Sequence, residues 1–337
     1  MTALSALNPT LLDLAKRLDP DGNIDKIVEL LNLTNEIIDD ATFIEGNLPT
    51  GHRTTVRTGL PTPTWRKLYQ GVNPGKSTTA QVTDNTGMME QYAQVDKALA
   101  DLNGNTAAFR MSEERAFIEG MNQEFASTLI YGNESSEPAA FTGLAPRYND
   151  LGAGNADNII DCGGATPASN TSMWLVVWSS NTAHCIYPKG STAGLQMTDK
   201  GQVTSETASG DGGMMEVYRT HYRWDCGFTL RDWRYVVRIA NIDVDDLVTL
   251  SGTQAIAAST SIIRAMIRAT ERIPTMGMGR AVFYCNRKVR ENLRLAILDK
   301  VSAQLTWETV AGKRVIAFDG IPVRRVDALT STEDPVA

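Results

Sequence analysis

The chain has 337 residues and a formal net charge of -7, enough length for one large domain or two ordinary ones with a substantial core. Its 42% hydrophobic and 21% charged residues are those of a folded soluble protein, and the acidic balance argues against a general nucleic-acid binder. No apolar run approaches the roughly 18 to 20 residues of a membrane span. The N-terminus has early polar and acidic residues and no cleavable apolar core, so no signal peptide is read.

The first segment is acidic. From Asp13 to Glu45 acids outnumber bases nine to three, and residues 1–45 read as an N-terminal arm. From Gly46 to Thr83 there is no acid, while Arg53, Arg57, Arg66, Lys67 and Lys76 supply five positive charges, punctuated by Pro49, Pro61, Pro63 and Pro74. Alternating β-type stretches with little apolar material predict an extended two-stranded arm. A solitary hairpin is marginal in water, so such an arm gains its stability by lying on something else. An acidic surface on a neighbouring copy is the natural partner.

Within this arm "YQGVNPGKST" (69–78) imitates a phosphate-binding loop. That loop needs four residues between its glycines, a strand before it and a helix after it. Here Gly71 and Gly75 enclose three residues, one of them Pro74, which has no N–H to aim at a phosphate. The adjoining "TTAQVTD" is β-branched rather than helical. The nucleotide-binding reading is therefore the weaker one.

"SEERAFIEGMNQEFASTLIYGN" predicts a helix over 112–132 with Ser112 as its cap and Glu113 and Glu114 at the positive end of its dipole. Phe117, Met121, Phe125 and Leu129 form its apolar stripe, with Ile118 beside them, and Gly132-Asn133 is the stop. From Pro138 to about Asn241, Gly- and Asn-rich loops surround strand-like runs such as "SMWLVVWS", "HCIYPKG" and "VYRTHYRWDCGFTLRDWRYVVRIANI". These read as a compact α+β lobe with Asp243 to Leu250 as its exit. A helix after Gly252 places Ile256, Ile263 and Ile267 on one face and Arg264, Arg268 and Arg272 in an i, i+4 row. "RAVFYC" is a strand, Asn286 caps a helix with Val289, Leu293 and Ile297 inside, and short strands come last, joined at Gly312 and at Asp319-Gly320.

Little here suggests catalysis. Cys162, Cys185, Cys226 and Cys285 have no C-x-x-C spacing and read as reduced, mostly buried thiols. His184 and Cys185 are strand neighbours facing opposite ways, so one does not activate the other. Asp243 and Asp245 share a strand face and, with Asp246, offer a metal reading, against which a solvated turn before a helix is commoner. The arginine row either contacts nucleic acid or pairs with acidic residues, and the second reading is favoured. Trp174, Trp178, Trp224 and Trp233 read as core or interface anchors.

The order of elements, with "GRAVFYCNRKVRENL" followed by "FDGIPVRRVDAL", resembles the major capsid proteins of tailed double-stranded DNA bacteriophages with the HK97-like fold. "TGHRTTVRTGLPTPTWRKLYQGV" and "AFRMSEERAFIEGMNQEFASTLIYGN" resemble the branch typified by the short-tailed phage epsilon15. The resemblance implies an α+β fold with an N-terminal arm (1–45), an extended loop (46–95), a peripheral domain (96–137 and 251–337) whose spine helix spans 112–132, and an axial domain (138–250). It implies a shell subunit in pentamers and hexamers, working with scaffold, portal and decoration or cement proteins. Such a shell encloses double-stranded DNA without reading its sequence, in a virion assembled in the bacterial cytoplasm. Arg53, Arg57, Trp65, Arg66, Lys67, Tyr69 and Lys76 become expected inter-subunit contacts, and Arg264, Arg268 and Arg272 an expected inner basic row. No cofactor, metal or catalytic residue is implied. Only about 45 residues precede the loop, so a long internal scaffold segment is not expected. A Lys–Asn crosslink would use Lys67 or Lys76, but no motif marks its partners. An encapsulin-like compartment is the alternative within the same fold.

Overall fold

The computed structural model describes residues 35–102, 106–206, 212–248, 253–298, 305–310 and 313–337. It divides into two compact units. The larger holds Thr34–Gly87, Ala126–Ala193 and Cys226–Ala337, and the smaller includes Met88–Phe125 and Gly194–Asp225. These units are defined by compactness and cut across the segments read from the sequence. The described elements are, in chain order, α1 (Ile37–Asp40), β1 (Phe43–Glu45), β2 (Gly51–Gly59), β3 (Thr78–Asp96), α2 (Lys97–Asp101) and α3 (Thr106–Tyr131). Next come β4 (Ile159–Asp161), β5 (Asn170–Trp178), β6 (Ala183–Tyr187), β7 (Gln196–Glu206), β8 (Met214–Leu230), β9 (Val236–Asp243), α4 (Val244–Val248) and α5 (Thr253–Arg272). The chain ends with β10 (Arg280–Cys285), α6 (Arg287–Leu298), β11 (Leu305–Val310), β12 (Lys313–Phe318) and β13 (Ile321–Arg325).

In the larger unit β5 is the middle strand. It pairs antiparallel with β9 and with β10, in register Met173↔Ile239 and Leu175↔Phe283. Every β5 residue is buried, which is why "NTSMWLVVW" shows no polar alternation: both faces are covered. β13 runs parallel to β10, and β12 and β11 extend the sheet antiparallel. The turn after β12 uses Asp319 and Gly320, with φ of 50° and 76°. That is the left-handed pair a two-residue hairpin requires. The Gly312 turn lies outside the described residues.

Helices α5 and α6 cover one face of this sheet. Ile262, Ile263, Met266 and Ala269 of α5 pack with Val289 and Leu293 of α6 onto Val237, Phe283 and Val323. Fully burying each large aliphatic side chain stabilises by about 1.5–3 kcal/mol. Asn286 caps α6, its Oδ1 accepting from Val289 N at 2.9 Å. The α5 stripe differs from expectation: Ile267 is exposed, because the buried line runs through 262, 266, 269 and 273, one position before it and two after. The Ile256 side chain lies outside the described residues.

The described part of the N-terminal arm, residues 35–45, is built into the sheet of its own chain. β1 pairs parallel with β6, Glu36 N donates to Arg325 O at 3.1 Å, and Ile37 is buried. The Asp40 carboxylate lies 2.8 Å from Arg280 and 3.0 Å from Arg324, and Tyr284 donates to it at 3.0 Å. Burial pushes the Asp40 carboxyl up, against the pull of the two arginines. The rest of the acidic arm, residues 1–34, lies outside the described residues.

The C-terminal segment is fixed by a buried charge. Arg238 on β9 pairs with Glu333 at 2.9 Å, with side chains 5% and 7% exposed. Its other donors reach Ser172 Oγ at 3.0 Å and Tyr148 O at 2.8 Å. Glu333 also accepts from Ser172 and, at 2.5 Å, from Tyr131 at the end of α3. Burial, reinforced by Glu333, pushes the Tyr131 hydroxyl well above its ordinary pKa. Further along, Asn241 and Val336 exchange hydrogen bonds of 2.8 and 3.0 Å.

In the smaller unit the first part of α3 packs on the antiparallel ribbon β7–β8. Phe125 stacks on Trp224 at 4.4 Å between centroids, and Phe117 on Tyr222 at 6.4 Å. Arg110 reaches Asp199 on β7 at 2.8 Å. The helix begins at Thr106, not at Ser112, because "TAAFRM" forms helix readily and carries a buried anchor, Phe109. Ser112 is therefore inside α3 and caps nothing, and Ile118 points outward. In the larger unit α3 stops at Gly132, where an added Cβ would lie 2.5 Å from both Phe141 O and Thr128 O. Here glycine serves close approach.

Replacing Glu333 by Ala leaves Arg238 buried and unpaired, and the expected loss is about 3–5 kcal/mol of unfolding free energy. Urea denaturation followed by tryptophan fluorescence measures it, and a loss below about 1 kcal/mol would contradict the role given to the pair.

Candidate interaction surface

The basic segment has a buried root and an exposed end. β2 and β3 pair antiparallel from Gly51↔Asn85 to Gly59↔Thr78, with an irregularity between Arg57 and Gly59. At the root His52, Thr54 and Asp84 are buried. Asp84 accepts from Arg147 at 2.8 Å, and the Arg147 guanidinium lies 5.6 Å over the Phe228 ring. Gly227 belongs to this root because a Cβ there would meet Asn85 O at 2.9 Å.

Beyond Gly59 the strands stop. Residues 60–77 contain no strand or helix, only a turn closed by Gln70 N donating to Lys67 O at 3.2 Å. The two-stranded reading thus holds for 51–59 and 78–85. It fails between them, where Pro61, Pro63 and Pro74 cannot donate to a ladder. Every residue from 60 to 81 is exposed. Trp65 and Tyr69 have no covered surface, Leu68 is 86% exposed and Leu60 77%. Tyr69 has φ of 64°, a left-handed conformation that costs a non-glycine residue about 1–2 kcal/mol.

The predicted contact residues are brought together only in part. Trp65, Arg66, Lys67 and Tyr69 cluster around the Lys67–Gln70 turn. Arg53 and Arg57 lie on β2, both exposed, with Arg53 Nε donating to Thr83 Oγ1 at 3.3 Å. Gly75-Lys76-Ser77 is not at the far end: a Cβ on Gly75 would lie 3.2 Å from Pro61 Cβ, which places the tripeptide near the base of the excursion. The tripeptide leads into strand β3 rather than a helix, so the nucleotide-loop architecture is lacking at this position.

The other candidate groups have ordinary partners. Asp243 Oδ1 accepts from Asp245 N at 2.9 Å at the start of α4, and Asp245 accepts from Ser169 at 3.0 Å, the turn-before-helix arrangement. In the arginine row Arg264, Arg268 and Arg272 are all exposed; Arg272 also donates to Ile159 O at 2.9 Å, and partial burial lowers its pKa. All four cysteines are free thiols. Burial pushes Cys285 up to about 12 and Cys162 up to about 11, so neither is a ready nucleophile. Trp174, Trp178 and Trp224 are buried, and Trp233 is partly exposed. Among the described residues no helix is long and apolar enough to cross a membrane. The full exposure of Trp65 and Tyr69 was not foreseen by periodicity, and the clustered prolines around them were the only local signal.

The chain matches a solved structure of bacteriophage epsilon15 at 36% identity and TM-score 0.77, over 100% of this chain and 99% of that one. More distant likenesses are the capsid of bacteriophage JBD30, at 12% identity, TM-score 0.49 and coverage of 90% and 93%, and the SrpI encapsulin complex of Synechococcus elongatus, at 13%, 0.45, 73% and 99%. A search of curated proteins finds no match. The model of the family described as major capsid protein GP7 matches residues 19–337. With its HK97-like α+β fold, the chain belongs to the major capsid protein GP7 family, and its function is to form the shell of a bacteriophage capsid.

Proposed function

We propose that the exposed segment 60–77 is the clasp by which one shell subunit holds the next. Arg53, Arg57, Trp65, Arg66, Lys67, Tyr69 and Lys76 are its contacts. The observation that carries this reading is the complete exposure of Trp65 and Tyr69 beside Leu60 and Leu68. Large apolar groups held in water are costly, and burying each returns about 1.5–3 kcal/mol. An exposed apolar cluster of this kind marks an interaction site, and the five uninterrupted positive charges favour an acidic surface on the partner.

On this reading residues 1–45 form the arm, 46–95 the extended loop, 96–137 and 251–337 the peripheral domain, and 138–250 the axial domain. Pentamers and hexamers of one chain close the shell, with scaffold, portal and cement proteins as further partners and assembly in the host cytoplasm. Arg264 and Arg268, both exposed on α5, belong to the inner basic row and pair with acidic residues of the same or an adjacent subunit, while the shell encloses DNA without reading its sequence. The protein acts by assembling, not by catalysis, because binding surface that a lone subunit leaves exposed is covered only in the shell.

The test is a Trp65→Ala/Tyr69→Ala variant. Because both side chains lie in water, its melting temperature is expected within about 2 °C of the parent, while closed shells in negative-stain electron microscopy and sedimentation are lost. Normal shells from the variant would refute the assignment. Raising salt from about 0.05 to 0.5 M shortens the screening length to a few ångströms, and the yield of shells from isolated subunits is expected to fall. An unchanged or rising yield would remove charge from the mechanism.

A further inference from the structure

The root of the hairpin contains a histidine pair that the clasp does not use. His52 on β2 and His184 on β6 are 9% and 1% exposed, with ring centroids 5.8 Å apart and planes at 83°. Both belong to the larger unit. Their tautomers are set by their other contacts. His52 Nδ1 accepts from Asn47 N at 3.3 Å, so its proton sits on Nε2. The His184 ring bonds to the Ser179 backbone while its Nδ1 has no partner, so its proton sits on Nε2 and Nδ1 is an acceptor. The two nitrogens left over, His52 Nε2–H and His184 Nδ1, are both buried and neither has a hydrogen-bond partner, so the rings meet by edge-to-face packing.

We propose that His52 and His184 form an acid-sensitive latch that fixes the root of the hairpin arm to the sheet. The two rings pack edge to face without cost only while both are neutral. A proton on His184 Nδ1 places positive charge in a buried site, against the edge of a second imidazole and with no acceptor to receive it. The surroundings favour the neutral form. Arg231, which donates to Ser180 O at 2.8 Å, adds positive charge toward both rings. Asp84, paired with His52 in the β2–β3 register, is the opposing carboxylate, and its charge is engaged by Arg147 at 2.8 Å. Thr229 faces His184 across the β6–β8 register and is uncharged. Burial, then the neighbouring positive charges, lowers the pKa of both histidines, that of His184 to about 4.

Acid therefore opens the latch. A solvated histidine titrates near 6.5, so the opened root takes up a proton below that pH while the closed root does not. Between pH 6.5 and about 4, each unit of acidification makes opening about tenfold easier per histidine so held. Above 6.5 the latch is fully closed.

Hydrogen exchange followed by mass spectrometry on the full chain, kept as unassembled subunits, reads this directly. After correction for the intrinsic pH dependence, protection of 51–56 and 81–87 is expected to fall by about 100-fold or more between pH 6.5 and 4.5. Protection of β5 is expected to hold. His52→Gln and His184→Asn, which keep one polar atom of each ring but do not titrate, together are expected to abolish this selective loss. Root protection that is independent of pH in the parent, or acid-dependent opening that persists in the double variant, would overturn the latch. Should the double variant not fold, NMR of the parent decides: a neutral His184 ring at pH 5.5 supports the latch, and a protonated one overturns it. Because the readout is the subunit, failure of shells to form would leave this result intact.

Discussion

Arg238 is the charge around which the larger unit is organised. A buried guanidinium is tolerable only if its donors are met, and here they are met by groups far apart in sequence: Ser172 on β5, the Tyr148 carbonyl and the Glu333 carboxylate. Its charge also lies 5.2 Å over the Trp174 ring. Through Glu333 the same network reaches Tyr131 at the end of α3. Four distant stretches are thereby held in one register. The net energy of such a pair is small, but the cost of mismatching it is large, so it acts as a specificity device for where the C-terminal segment lies.

The second constraint is that the hairpin cannot bury its own end. Its root is covered, with Arg147 satisfying Asp84 and Gly227 admitting the backbone of Asn85. Its end has three prolines and no ladder, and among the described residues nothing covers Trp65 and Tyr69. The same division explains why the positive charges are outside and the histidines inside: guanidinium and ammonium groups stay hydrated, whereas neutral imidazoles accept burial.

Much of the element order was readable because it stems from periodicity and end signals. "SMWLVVWS" lacks alternation because β5 is covered on both faces, Asn286 caps α6, and Asp319-Gly320 makes the left-handed turn that joins β12 to β13. The start of α3 was misread because Ser112 looks like a cap in isolation. The buried Phe109 contact that carries the helix back to Thr106 involves Val95 and Leu99, which no local window contains. Ile267 was assigned to the wrong side of α5 because spacing fixes a stripe only to within one residue.

The chain itself determined an α+β order of elements and a basic, proline-broken arm, because composition, charge blocks and the order of strands and helices are properties of neighbouring residues; that it is a shell subunit followed from the likeness of its segments to a known family. Tertiary structure alone decided that residues 35–45 fold onto their own sheet, that Gly75-Lys76 lies near the base of the excursion, that Arg272 is engaged by Ile159 O, and that His52 meets His184. These are contacts between residues separated by from 14 to more than a hundred positions. Such contacts depend on which strand lies beside which, and that is set by the summed packing of the core rather than by any local pattern.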